Sequence, residues 1–359
     1  MAPLLAGVTA SVALGLGVSI ARLARERRAK RSRQLGLRPG EPLGGALQRM
    51  ALEQLDLTLE VLSDGEGPPS EKAVHETRKA LKRLRALLRM LEPELDPSAY
   101  AREDAALKDA GRRLAGARDA EVMLATLDGL VERNRGKLSG RGGVIRLRAA
   151  LLAEREAARR DTLGDPAART HVLAELRACR VRVAAWRLPE RSQLQLIEAG
   201  LVRLYRKGEK RRRRAAAARR GDMHKLHEWR KRVKDLRYVA EMLRPLDEQR
   251  QRSAPKGKRA RKRVARARKD AAWLARMARR ADKLGELLGE DHDLAVLAQL
   301  IETDAPMARP GKKTRRTLLK LIAKQRAELR KRALEDGALL YAASPKQLMR
   351  RVRGAQRLS

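Results

Sequence analysis

The sequence predicts an all-α protein of two pseudo-symmetric helical bundles. Three observations lead there. No stretch alternates β-branched residues over the length of a strand. Long runs without Pro or Gly are filled with Ala, Leu, Arg, Glu and Lys, all strong helix formers. One helical segment also occurs twice: HETRKALKRLRALLRML (75–91) and HEWRKRVKDLRYVAEML (227–243) lie 152 positions apart and match at nine of seventeen places without a gap.

Taken in order, residues 2–21 are uncharged and just long enough to cross a bilayer. They are followed by a basic flank from Arg22 to Arg33. The segment reads either as a span, whose basic flank would keep the body of the chain on the cytoplasmic side, or as a weak hydrophobic helix lying on a surface. GLRPGEPLGG (36–45) is a linker by its Gly and Pro content. Helices are expected over 46–62, 71–91, 98–117, 119–135, 144–163, 166–187, 192–220, 222–244, 271–288, 291–303, 312–335 and 345–353. Ser70 suits the N-cap of the second of these. GKLSGRGG (136–143) breaks the chain, and residues 250–270 form a basic insert.

The repeat extends beyond the shared helix. LAGARDAEV (114–122) resembles LGEDHDLAV (288–296), which sets Arg118-Asp119 against His292-Asp293. The offset there is 174, and the growth matches the length of the basic insert. The expected division is an N-terminal segment (1–43), a body (44–345) made of repeats 44–188 and 189–345, and a basic tail (346–359).

Composition narrows the partner. The 359 residues carry a net charge of +40, which points to a polyanion: nucleic acid, polyphosphate or an anionic membrane surface. Three Trp, four Tyr and no Phe leave few rings on which single-stranded bases could stack. Cys179 stands alone, which excludes an intrachain disulfide and a thiolate zinc cluster.

On a helix of 3.6 residues per turn, each copy of the repeat separates into two faces. Val74, Leu81, Leu84, Leu87, Leu88 and Leu91 fill one face of the first copy; Leu226, Val233, Leu236, Val239 and Leu243 fill that of the second. The other face is cationic: His75, Arg78, Lys79, Lys82, Arg85 and Arg89 in the first, His227, Arg230, Lys231, Lys234 and Arg237 in the second. Like charges at i, i+3 and i+4 each cost a few tenths of a kcal/mol, so two such strips imply an anion between them. The bland reading of one strip, a solvated helix face, weakens once the same spacing recurs. Symmetry would set His75 opposite His227 and Arg78 opposite Arg230.

These residues resemble the CHAD family, the conserved-histidine α-helical domains. The resemblance rests on H-x-x-R-K-x-x-K-x-L-R in both halves, on Tyr238 after Arg237, and on the Arg118-Asp119 and Leu288-Gly289…Asp293 segments. It covers about residues 44–345. It implies a pair of four-helix bundles around a basic channel that binds inorganic polyphosphate, association with polyphosphate or storage granules, and no catalytic activity of the domain. The implied ligand residues are the two strips together with Arg118. The basic insert, His292 in place of a second Arg, and the apolar N-terminus depart from the pattern.

The chemistry of the strips agrees. Arg forks take phosphate oxygens in pairs, Lys adds point charge, and a protonated imidazole donates from both nitrogens. No catalytic residue, cofactor or metal site is read from the sequence. His224 and His227 lie one turn apart but lack further ligands, and Glu154-x-Glu156 lacks the Lys of an E-x-E-x-K tunnel motif. His171 reads as structural, and Arg211–Arg214 and the insert as solvated, non-specific polyanion contacts. The expectation is a non-catalytic polyphosphate binder in the cytoplasm, tethered at the inner membrane face or on granules. A nucleic-acid-binding basic helical protein is the rival.

Overall fold

The computed structural model describes residues 36–38, 41–64, 70–114, 116–164, 166–189, 194–218, 222–243, 273–303 and 310–354. The apolar segment 2–21, its basic flank and the insert 250–270 lie outside these residues. Among the described residues there are twelve α-helices and no strand. They are α1 (Leu43–Ser63), α2 (Glu71–Leu91), α3 (Pro97–Arg113), α4 (Gly116–Arg133), α5 (Arg135–Leu138) and α6 (Gly142–Gly164), then α7 (Pro166–Ala184), α8 (Gln195–Ala216), α9 (Met223–Leu243), α10 (Trp273–Glu302), α11 (Lys312–Leu340) and α12 (Pro345–Gly354). None of them is long and apolar enough to cross a membrane.

Local signals set most boundaries. The Ser70 hydroxyl accepts from the Ala73 N–H at 3.2 Å and caps α2. Asp96 accepts from the N–H groups of Ser98 and Ala99, with Pro97 opening α3. After the single turn of α5, Gly140 takes φ +69°, a left-handed conformation that glycine adopts without penalty.

Several boundaries differ from expectation: α3 ends at Arg113, short of 117, α11 runs on to Leu340, past 335, and one expected break is absent. Residues 271–288 and 291–303 are not two helices: α10 runs unbroken through Gly289. An interior Gly costs a helix only about 1 kcal/mol. Leu284, Leu287, Leu288 and Leu294, all buried, offset that cost by packing against α9 and α11. In the first half the corresponding stretch does break, between α3 and α4.

The two repeated helices form the middle of the molecule. Every apolar residue assigned to their inner faces is buried, from Val74 to Leu91 in α2 and from Leu226 to Leu243 in α9. α2 packs against α1, α3, α8 and α9, and α9 packs against α2, α8 and α10. The first half thus meets the second along α2–α9, α2–α8 and α4–α10. The approach of α8 to α2 is close: a Cβ on Gly200 would collide with the carbonyl of Met90. Arg203 ties the same place, donating to the Arg89 carbonyl at 2.8 Å and pairing with Glu92. On the far side, α11 passes the indole of Trp229 at Gly337, where no Cβ would fit.

Candidate anion-binding site

Each cationic strip divides along its length. Toward the C-terminal end the arginines are neutralised by carboxylates of the fold. Arg85 makes a two-pronged pair with Asp104 at 2.9 and 3.0 Å. Arg89 reaches both Asp104, at 3.3 Å, and Asp235 of α9, at 2.9 Å. Arg237 binds Glu241 at 2.8 Å and also Asp282. Arg85 and Arg237 hold equivalent places in the two copies, and each is answered by an Asp from the helix that follows it. Asp235 is buried, and Arg232 joins Arg89 on it at 3.1 Å. These pairs fasten helix to helix.

Toward the N-terminal end the balance changes. In α2, His75 and Lys82 are exposed and Arg78 and Lys79 half-buried. Arg78 donates to Asp119, at the start of α4, at 3.3 Å. In α9, Lys231 is exposed and bonded to Glu228 at 2.7 Å, while His227, Arg230 and Lys234 are half-buried. The side chain of Arg118 lies outside the described residues.

The ring of His227 lies against His292 of α10, centroids 4.3 Å apart and tilted by 35°. His227 Nδ1 and Arg230 Nε are buried without a hydrogen-bond partner. Gly289 lets Arg230 lie flat on α10: a Cβ there would fall 3.1 Å from the Arg230 Nη2. Repeat-equivalent groups take equivalent roles here, Arg78 beside Asp119 and Arg230 in the field of Asp293.

This end of the site is short of negative charge. Burial, then the neighbouring charges of Arg230 and Lys82, pushes the Lys234 ammonium down to about 7. Burial, then His292 and Lys231, pushes His227 down to about 4. His292 is lowered by burial and by Arg230, against the opposing pull of Asp293, Asp291 and Asp119. Burial also lowers Arg230 and raises Asp293. Every one of these shifts favours a neutral form, as desolvation without a full counter-charge requires. His227 is therefore a neutral imidazole at pH 7, whereas the sequence reading gave it a proton.

A further reading changes. Arg211 and Arg212 are not freely solvated. Arg211 stands 3.9 Å from Glu228, and Arg212 is half-buried beside the position of Gly337, leaving Arg213 and Arg214 as the exposed pair. His171 is on the surface of α7, 3.9 Å from Asp109. His224 is exposed, and no group of three or more His, Cys, Asp or Glu that could hold a metal gathers among the described residues.

Sequence reasoning aligned His292 with Arg118 but could not give its ring contact, which joins residues 65 positions apart. It missed Arg326 and Arg330 of α11. Both donate to the buried Asp291, at 3.1 and 3.0 Å, and so secure the turn of α10 that carries His292.

Comparison with known proteins agrees with this architecture. The CHAD domain family model matches residues 45–267. The solved CHAD domain from the plant Ricinus communis is similar over 87% of this chain and 95% of its own, with 21% identity and a TM-score of 0.53. PptA from Streptomyces chartreusis is similar over 84% of this chain and 100% of its own, with 19% identity and a TM-score of 0.55. A search of curated proteins found no match. At these identities the structural likeness speaks for the fold. With the family model spanning more than half of the sequence, the chain belongs to the CHAD domain family.

Proposed function

We propose that this protein binds inorganic polyphosphate, without turning it over, along the N-terminal ends of the two cationic strips. The observation that supports this most is the unanswered charge around Lys234. Two cations of α9, Arg230 and Lys234, are desolvated beside Lys82 of α2, with Asp293 as the main opposing charge. A polyanion with one charge per unit and no bases supplies what is lacking. Arg78, Arg230 and Lys234 would take phosphate oxygens, with His227 and His292 alongside, and Lys79, Lys82, Lys231 and His75 would continue the track. Asp119 and Asp293 act as internal placeholders that limit self-repulsion while the track is empty. Both carboxylates already face cations, which favours holding an anion over activating water for its cleavage. Family membership agrees, as does the scarcity of aromatic rings. A cytoplasmic setting on polyphosphate granules follows from the same reading.

The test is a competition titration at physiological salt. Duplex DNA at equal phosphate concentration is expected to leave long-chain polyphosphate bound; displacement would sink the reading in favour of general polyanion binding. Arg230→Glu is expected to weaken polyphosphate binding by tenfold or more, since a buried charge-assisted contact is worth roughly 1.5–3 kcal/mol. Arg213→Glu, on the exposed run, is expected to change it less than about threefold. Release of phosphate on incubation with polyphosphate and a divalent metal would overturn the non-catalytic part.

A further inference from the structure

Buried, uncompensated cations leave a site two ways to avoid the cost of charge: give up protons or gain an anion. The N-terminal ends of α2 and α9 are arranged for both. Lys234 of α9 is half-buried under α10, its Cγ 3.9 Å from where a Cβ on Gly285 would lie, and it stands in the field of Arg230 and Arg237 of its own helix, Lys82 of α2 and Asp293 of α10. About two turns nearer the N-terminus of α9, the paired rings of His227 and His292 close the site, with Nδ1 of His227 buried and unpartnered. From α4, the Asp119 carboxylate acts on His292 and is already tied to Arg78. From α8, Arg211 is directed to Glu228, and from α11, Arg326 and Arg330 are directed to Asp291. Among the described residues, Asp293 is thus the main carboxylate shared by Lys234, Arg230 and His292.

We propose that the site takes up protons as it takes up its anion, on Lys234 and on the His227–His292 pair, so that affinity rises as pH falls. This rests on the polyphosphate reading and adds its regulation. The protons come from solvent. One adds to the Lys234 Nζ lone pair, and one to a free imidazole nitrogen, which then becomes a donor to phosphate oxygen. Internal phosphates of a long chain are strong acids, so the ligand contributes almost nothing to the exchange. The shifts give the window and the sign. Lys234 is largely neutral in the empty protein above its value of about 7 and charged in the complex, so it binds a proton there. Below about 7 Lys234 is already charged, and the histidines, His227 lowest at about 4, carry the uptake. Linkage makes this worth up to about tenfold in affinity per pH unit for each proton.

The experiment is calorimetric titration of the full chain with long-chain polyphosphate at pH 7.5, in two buffers of different ionisation enthalpy. The dependence of observed heat on buffer gives the number of protons bound, expected between about half a proton and two. Lys234→Met is expected to flatten the pH dependence above pH 7, and His227→Gln with His292→Gln that below it. Tight binding with heats independent of buffer would overturn the proton coupling and leave the polyphosphate reading standing. No binding in either buffer would overturn that reading itself.

Discussion

At pH 7 the ammonium of Lys234 works against the fold that holds it. Its ordinary value is 10.5, and in the folded protein it falls to about 7. Since the folded value is the lower one, the cost of burying this charge is absent above pH 10.5. It grows as pH drops toward 7 and is fully present below that. Lys234→Met is therefore expected to raise the unfolding free energy of the unliganded protein at pH 7 by about 1–3 kcal/mol, while weakening polyphosphate binding. Denaturant titration with and without ligand measures both; a less stable Met variant would show that Lys234 makes a net favourable interaction in the empty site. Such a residue was legible in part. The recurrence of Lys82 and Lys234 in equivalent places marked them as ligand residues, but which of the two is desolvated depends on α10 packing over Lys234. Likewise His227 was visible as the head of its strip, whereas its stacking partner His292 was not, because ring contacts between helices leave no trace in periodicity.

Helices α2 and α9 each do two jobs along one face. Their N-terminal parts carry the cations that we assign to a ligand, and their C-terminal ends set the same residue types in ion pairs with carboxylates of the fold, one of which, Arg89–Asp235, joins the two halves. A helical wheel collapses position along the axis, so it placed Arg85, Arg89 and Arg237 with the track, while the structure answers all three with carboxylates. The Arg89–Asp235 pair is the link from α2 to α9. Removing one partner of a buried pair strands the other, so Arg89→Met is expected to cost about 3 kcal/mol of stability, at the low end because Arg232 still reaches Asp235. Adding Asp235→Leu to it is expected to restore most of that loss, since the stranded charge is then gone. Thermal melts of the single and double variants decide it: a double variant as unstable as the single one would mean that packing, not charge, sets the cost. Helix existence was readable from composition, and the expected break at Gly289 came from treating a glycine as a stop. There it makes room for the Arg230 guanidinium while α9 and α11 hold the helix straight through.

Over the whole molecule the net charge of +40 draws any polyanion, and this long-range attraction must be separated from the built site. All-α architecture, the two buried faces and the doubled strip could be read from the sequence, because they depend on local periodicity. The carboxylates that answer these cations could not, because Asp104, Asp119 and Asp282 come from helices whose placement is a tertiary matter. Salt distinguishes the two kinds of charge. The Debye length falls from about 8 Å at 0.15 M to about 3 Å at 1 M, and exposed charges are screened accordingly. Contacts inside a desolvated site are screened much less. Replacing Arg213 and Arg214 by Gln, two exposed positions on α8, is therefore expected to weaken polyphosphate binding modestly at low salt and not measurably at about 0.5 M. Replacing Arg230 by Gln is expected to weaken it by a factor that persists across the same range. Binding curves for the two variants over a salt series measure this directly. Parallel loss of both effects with salt would mean that the strips act only through the field of the whole protein, and that the meeting of α2 with α9 has no part in selecting the ligand.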